Sequence, residues 1–214
     1  MDKSQGYLLV VEDIPDILTL LDTTLRFKGY RVVTARDGQE ALDLIQKETP
    51  ALIITDILMP KMDGFNLVHK LRIDPETRKI PVIFLSATYV APEDKAFAVD
   101  IGVTHFIEKP VDLEEFLPLV ADLLEKDGVP ATHEPLTDPN FYVGYRRRLE
   151  AKLDQKMKQI ARSEGLLDTL PEEEKASFLS SLEKAIEERD EIQRLLDQIT
   201  QTMRKRHGTT SGDS

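Results

Sequence analysis

A chain of 214 residues with a 41% apolar fraction has room for one domain or two small ones. It holds no cysteine, which excludes disulfides and thiolate metal sites, and its net charge of −11 argues against general affinity for nucleic acid. No N-terminal apolar core is present and no apolar stretch approaches the ~20 residues of a membrane span, so a soluble, cytoplasmic protein is expected.

Residues 5–126 alternate between two patterns. Apolar runs of β-formers predict strands near 7–12, 30–35, 51–56, 81–86 and 104–108. The intervals between them predict helices near 14–28, 37–48, 64–73, 92–101 and 112–126. Asp37-Gly38-Gln39-Glu40 and Asp112-Leu113-Glu114-Glu115 place acids where helices begin, and Gly29 and Gly102 fall where helices should stop. Regular alternation of strand and helix implies a parallel sheet with helices on both faces.

The composition changes over residues 127–139, where Pro130, Pro135 and Pro139 forbid a continuous helix and predict a linker. Thr137-Asp138-Pro139 reads as a cap with proline in the first helical turn. Residues 140–206 predict an antiparallel helical hairpin. Its first seam runs through Phe141, Tyr145, Leu149, Leu153, Met157 and Ile160. The second runs through Phe178, Leu182, Ala185, Ile192, Leu196, Ile199 and Met203, interrupted at Arg189. Gly165 is the expected end of the first helix, and Thr169-Leu170-Pro171-Glu172 a capping box for the second. Residues 207–214 read as a frayed tail.

Chemistry concentrates at strand ends. Glu12 and Asp13 close the apolar run Tyr7–Val11, Asp56 closes Ala51–Thr55, and Lys109 closes Phe106–Glu108. In open α/β sheets, sites lie at the C-terminal ends of strands. Three acids and a lysine meeting there make a divalent-metal and phosphoryl site. A carboxylate attacks a phosphoryl group only if the approach of two anions is neutralised, which Mg²⁺ with oxygen ligands can do. Asp13 and Asp56 are the expected direct ligands, and Glu12 acts through water. Lys109 is a point charge able to pair with the carboxylate and then with a phosphoryl oxygen. Ser86, at the end of Val82–Leu85, carries a hydroxyl able to donate to that oxygen. Each residue also has a plainer reading: Asp56 as a turn residue, Lys109 as a solvated lysine, Ser86 as a partner for a backbone group, Phe106 as core. Asp63 and Gly64 read as structural, a turn leading into a helix.

The acidic pair Glu12-Asp13, the stretch Asp56-Ile57-Leu58-Met59-Pro60-Lys61-Met62-Asp63-Gly64, Ser86 and Lys109-Pro110 occur in order and at suitable spacing. Together they resemble the receiver domain of two-component response regulators over about residues 5–126. The resemblance implies a flavodoxin-like, doubly wound sheet of five parallel strands, occupying residues 1–126 and followed by the α-helical hairpin. It implies phosphorylation of Asp56 by a sensor histidine kinase or phosphotransfer protein, with Mg²⁺ held also by the carbonyl of Leu58. A cis bond at Lys109-Pro110 and a switch made of Ser86 and Phe106 are further implications. The sequence departs from the commoner pattern twice, with Glu12-Asp13 where Asp-Asp is more usual and Phe106 where tyrosine is.

For the hairpin the expected role is interaction, through a homodimer or a partner helix, rather than catalysis, with packing on its own receiver as the plain alternative. The helices are too long for a helix-turn-helix, and His69, His105, His133 and His207 lack a phosphotransfer context. Two other readings stand beside it. Asp197 and Gln201, one turn apart, resemble the acid–glutamine pair of chemotaxis-type phosphatases. Arg146-Arg147-Arg148 and Arg204-Lys205-Arg206 could meet as a basic tip touching nucleic acid or membrane.

Overall fold

The computed structural model describes residues 6–86, 92–125, 137–167 and 171–209. The chain divides into two units, Met1–Leu136 and Thr137–Ser214.

In the first unit, strands β1 (Leu8–Val11), β2 (Val32–Ala35), β3 (Leu52–Asp56), β4 (Val82–Ser86) and β5 (His105–Glu108) form one parallel sheet in the order β2-β1-β3-β4-β5. Helices α1 (Pro15–Phe27), α2 (Gly38–Ile45), α3 (Gly64–Ile73), α4 (Pro92–Asp100) and α5 (Leu113–Glu125) connect them. The central strands β1, β3 and β4 are buried along their whole length, which is why they read as unbroken apolar runs rather than as alternation. One face packs Leu8, Val10, Ile54, Ile83 and Leu85 against Leu21 and Leu25 of α1 and Phe116 and Val120 of α5. Each such side chain contributes about 1.5–3 kcal/mol when removed from water.

The helix starts and stops follow local chemistry. Asp37 caps α2 by accepting from the Gln39 and Glu40 N–H groups, and Asp63 caps α3 by accepting from Asn66 N–H. Gly29 and Gly102 take φ values of 90° and 89°, the left-handed conformation that ends α1 and α4. The Lys109–Pro110 peptide is cis.

The second unit consists of α6 (Asp138–Leu167) and α7 (Glu172–Thr209), packed against each other. Pro139 sits in the first turn of α6, and Phe141 N–H donates to the Thr137 carbonyl at 2.9 Å. Ile160 packs with Leu182, Ala185 and Ile186, and Lys156 reaches Glu188 at 2.6 Å across the pair. These contacts make the helices antiparallel. Among the described residues no helix is long and apolar enough to cross a membrane.

Several expectations are corrected here. Gly165 does not end the first helix; a Cβ built there meets nothing within 4 Å, and α6 continues to Leu167. A glycine costs a helix interior only about 1 kcal/mol, which neighbouring turns outweigh. Helix α7 runs to Thr209, through His207 and Gly208, where the residue order predicts a frayed tail. Met157 is 56% exposed, whereas Leu195, absent from the predicted seam, is buried. Lys156 takes the inward place on α6 because Glu188 supplies its counter-charge. Residues 127–136 of the predicted linker, Thr169 and Leu170 of the predicted capping box, and residues 210–214 lie outside the described residues.

Candidate functional site

Parallel register brings the predicted site together. Val11 is opposite Thr55, so Glu12 and Asp56 are the next positions on neighbouring strands. Asp13 follows Glu12 at the mouth of the sheet. On the other side Asp56 is opposite Leu85 and Ser86 is opposite Glu108, which sets Lys109 just beyond the end of β5. The Lys109 N–H donates to the Ser86 carbonyl at 2.6 Å. Among the described residues Glu12, Asp13 and Asp56 form a carboxylate group whose ligand atoms lie within 4.8 Å of one another.

The electrostatics follow from that crowding. Glu12 is fully buried and Asp56 is 9% exposed. Burial pushes the Glu12 carboxyl above its ordinary range, and the Asp56 charge pushes it further, against the opposing pull of Lys109. Burial likewise raises Asp56 and Asp13, with Lys109 opposing in both cases. The Lys109 ammonium lies 2.7 Å from Glu12 Oε2 and 3.3 Å from Asp56 Oδ1. One lysine thus spans two of three acids, which leaves the group short of positive charge when all three carboxyls are ionised. A hard divalent cation bound by oxygen would supply it.

Other predicted residues fall as follows. Leu58 lies in the loop after β3, two residues past Asp56, and is half-buried. Ser86 is buried at the end of β4. Phe106 is half-buried on β5, paired with Phe84 at 6.2 Å between ring centroids. Phe84 in turn meets Phe65 of α3 at 5.0 Å, and Phe65 meets Phe97 of α4 at 5.6 Å. Gly64 carries more than a turn: a Cβ there would stand 2.5 Å from the Asp56 carbonyl oxygen.

Asp197 and Gln201 belong to α7 in the second unit, and both are exposed. Asp197 accepts from Gln193, one turn earlier, at 3.1 Å. The arginine run of α6 is not one open cationic patch, because Arg148 is buried and Arg146 reaches Glu150 at 3.4 Å. The side chains of Lys205 and Arg206 lie outside the described residues.

Three contacts escaped sequence reasoning. Lys95 of α4 sits 5.8 Å from the centre of the Phe106 ring and pairs with Glu108 at 2.8 Å. Arg72, pushed down to about 10 by burial and still cationic at neutral pH, donates to the Gly102 carbonyl at 2.8 and 3.0 Å. Lys61 pairs with Asp37 at 2.6 Å. No periodic signal links residues so far apart in the chain.

A five-stranded parallel sheet in this order, with an acid cluster and one lysine at its C-terminal edge, defines a receiver domain. The response regulator receiver domain family is matched over residues 8–121, and the chain belongs to that family. It is 37% identical over 147 residues to the DNA-binding dual master transcriptional regulator RpaA of Synechocystis, covering 67% of this chain and 61% of that protein. It is 39% identical over 105 residues to the response regulator PleD of Caulobacter vibrioides, covering 49% of this chain and 23% of that protein. The chain therefore spans less than two thirds of either relative. Among solved structures, the chemotaxis response regulator CheY4 of Vibrio cholerae superposes with a TM-score of 0.52 at 33% identity, covering 56% of this chain and 99% of that one.

Proposed function

We propose that the first unit accepts a phosphoryl group on Asp56 from a sensor histidine kinase or phosphotransfer protein, with magnesium as its cation. The observation that carries this reading is the Asp56 carboxylate at the end of β3, grouped with Glu12 and Asp13 within 4.8 Å and faced by Lys109 at 3.3 Å. Glu12, Asp13 and Asp56, with the Leu58 carbonyl that the family resemblance adds, would form an oxygen donor set of the kind hard cations take. A cation held there would offset the repulsion between carboxylate and phosphoryl oxygens. An Asp56 oxygen attacks phosphorus, the P–N bond to the donor imidazole breaks, and the imidazole keeps the electron pair. Lys109 leaves Glu12 or Asp56 to pair with the new phosphoryl oxygens. The Ser86 hydroxyl donates to one of them, and Phe106 repacks against the space that opens, a shift between two populations. The protein carries the phosphoryl group as a signal and is not an enzyme acting on a separate substrate.

The second unit is the output element, a dimerisation or partner-binding hairpin. Its support is the two-helix seam together with large apolar side chains exposed elsewhere on the hairpin: Val143, Met157, Leu166 and Leu179.

Asp56→Asn is expected to abolish acid-labile, hydroxylamine-sensitive labelling by a phosphorylated donor; the same labelling retained on that variant would sink the assignment. Light scattering of the full chain with Mg²⁺, with and without beryllofluoride, tests the output. A mass that doubles only with beryllofluoride is expected. A monomer in both conditions excludes phosphorylation-gated dimerisation.

A further inference from the structure

The loop from β3 to α3 is held by residues the proposed phosphoryl transfer does not use. Lys61, with φ 62°, is the one non-glycine residue at positive φ among the described residues. This conformation costs an L-residue roughly 1–2 kcal/mol and persists where the surroundings over-determine it. Here the surroundings come from the start of α2. The Lys61 ammonium donates to Asp37 Oδ2 at 2.6 Å, and Asp37 is buried, while Lys61 remains 72% exposed. The other oxygen of Asp37 accepts from Gln39 N–H and Glu40 N–H, both at 2.9 Å. One carboxylate thus serves helix and loop together.

A second link runs beside it. Gly38 N–H donates to the Met62 carbonyl at 2.9 Å, an approach that a Cβ at Gly38, 2.7 Å from that oxygen, would block. The loop is also closed on itself, with Gly64 N–H donating to the Ile57 carbonyl at 2.9 Å and Met62 N–H to the Pro60 carbonyl at 2.7 Å. Between the closed neck and the anchored tip lies Leu58.

We infer that Lys61 and Asp37 are positioning residues for the metal site: by fixing the loop on α2 they set the place of the Leu58 carbonyl, and with it Mg²⁺ affinity and aspartyl-phosphate lifetime. The inference rests on the reading of Asp56 as phosphoacceptor. The Coulomb attraction of a lysine this exposed is small. The effect is conformational, because a loop released from α2 must be ordered again when its carbonyl takes up a ligand. Burial raises the Asp37 carboxyl, but Lys61 and the two N–H donors outweigh it and hold the group below its ordinary range. The acid therefore stays ionised wherever Mg²⁺ binds.

The test is calorimetric titration of the full chain with Mg²⁺, paired with decay of the aspartyl phosphate at saturating Mg²⁺. Three variants are compared with the parent: Lys61→Met, Lys61→Arg and Asp37→Asn. Lys61→Met and Asp37→Asn are expected to weaken Mg²⁺ binding about three- to tenfold, the range open to lost loop preorganisation. Lys61→Arg restores it, and the phosphoryl lifetime moves with Met and returns with Arg. Should Asp37→Asn disturb the α2 cap enough to unfold the unit, the two Lys61 variants decide alone. Unchanged affinity and lifetime in Lys61→Met, or a loss that arginine fails to restore, overturns the inference while leaving the phosphoacceptor reading intact. A parent chain that takes up no Mg²⁺ overturns the reading itself and the inference with it.

Discussion

The two units use charge in opposite ways. In the first, Glu12, Asp56 and Lys109 come from three different strand ends, and topology brings them together with little solvent between them. In the second, charges pair within a helical turn in open water, as Lys158 does with Asp154 at side-chain exposures of 66% and 65%. Exposed pairs of that kind contribute ~0–1 kcal/mol. Charges gathered by topology have shifted ionisation and can do chemistry; charges spaced by helical period keep a surface soluble. The first unit therefore gathers its charges at one buried edge, and the second spreads them over helix surfaces.

The sharpest way to break that contrast is one substitution made in both units. Gly64→Ala drives a Cβ to within 2.5 Å of the Asp56 carbonyl oxygen and 3.3 Å of the Phe84 ring, both in the packed centre of the site. Backbone must move, and a loss of about 3 kcal/mol is expected. Gly165→Ala adds a Cβ in open space on α6 and should gain about 0.5–1 kcal/mol from helix propensity. Segment-resolved hydrogen exchange reports each unit separately. Equal effects at the two positions would mean the site loop is as tolerant as an exposed helix.

Next in size is the response of the site to charge removal. Burial raises the Glu12, Asp13 and Asp56 carboxyls, so between the unfolded and folded pKa values the folded chain binds more protons. Their contribution then favours folding at low pH and is lost as pH rises through the raised values. Asp37 and Glu48 have lowered values and act in the opposite sense, losing their contribution only below the ordinary carboxylate range. Asp13→Asn should accordingly stabilise the metal-free first unit at pH 7 by about 1 kcal/mol while weakening Mg²⁺ binding. The urea midpoint with and without Mg²⁺, at pH 7.5 and 5.5, checks both halves. A variant less stable without metal than its parent would show that Asp13 makes favourable contacts that outweigh its burial.

The acids and Lys109 were legible in the sequence because each ends an apolar run, and parallel strands bring such ends to one edge. Lys61 and Asp37 were legible only as a loop residue and a helix start. Their contact spans 24 positions and needs a left-handed lysine, which nothing in the residue order announces. The hairpin was legible as two helices, but its seam was misread at Met157 and Leu195. Spacings of three and four admit either residue of a neighbouring pair, and only the facing helix decides which turns inward.

The smallest effect sits at that decision. Lys156 is 21% exposed and Glu188 41%, joined at 2.6 Å between the cluster around Ile160 and the buried Ile192, Leu195, Leu196 and Ile199 of α7. A half-exposed pair of this kind contributes about 0.5 kcal/mol to stability, since desolvation and side-chain ordering offset most of the attraction. Its larger consequence concerns register. Sliding α7 by four residues sets Lys184 or Ile192 in the place of Glu188 and leaves Lys156 without its counter-charge, whereas an apolar seam at a spacing of three and four tolerates the slip. Replacing both residues by Met and Leu should therefore keep the melting temperature within a few degrees of the parent. Cross-linking between cysteines placed at exposed positions on the facing edges of α6 and α7 should then report more than one register in the double variant and one in the parent. A single register in both would place the specification of the hairpin in its apolar contacts alone, and shape rather than charge would govern the second unit down to its smallest term.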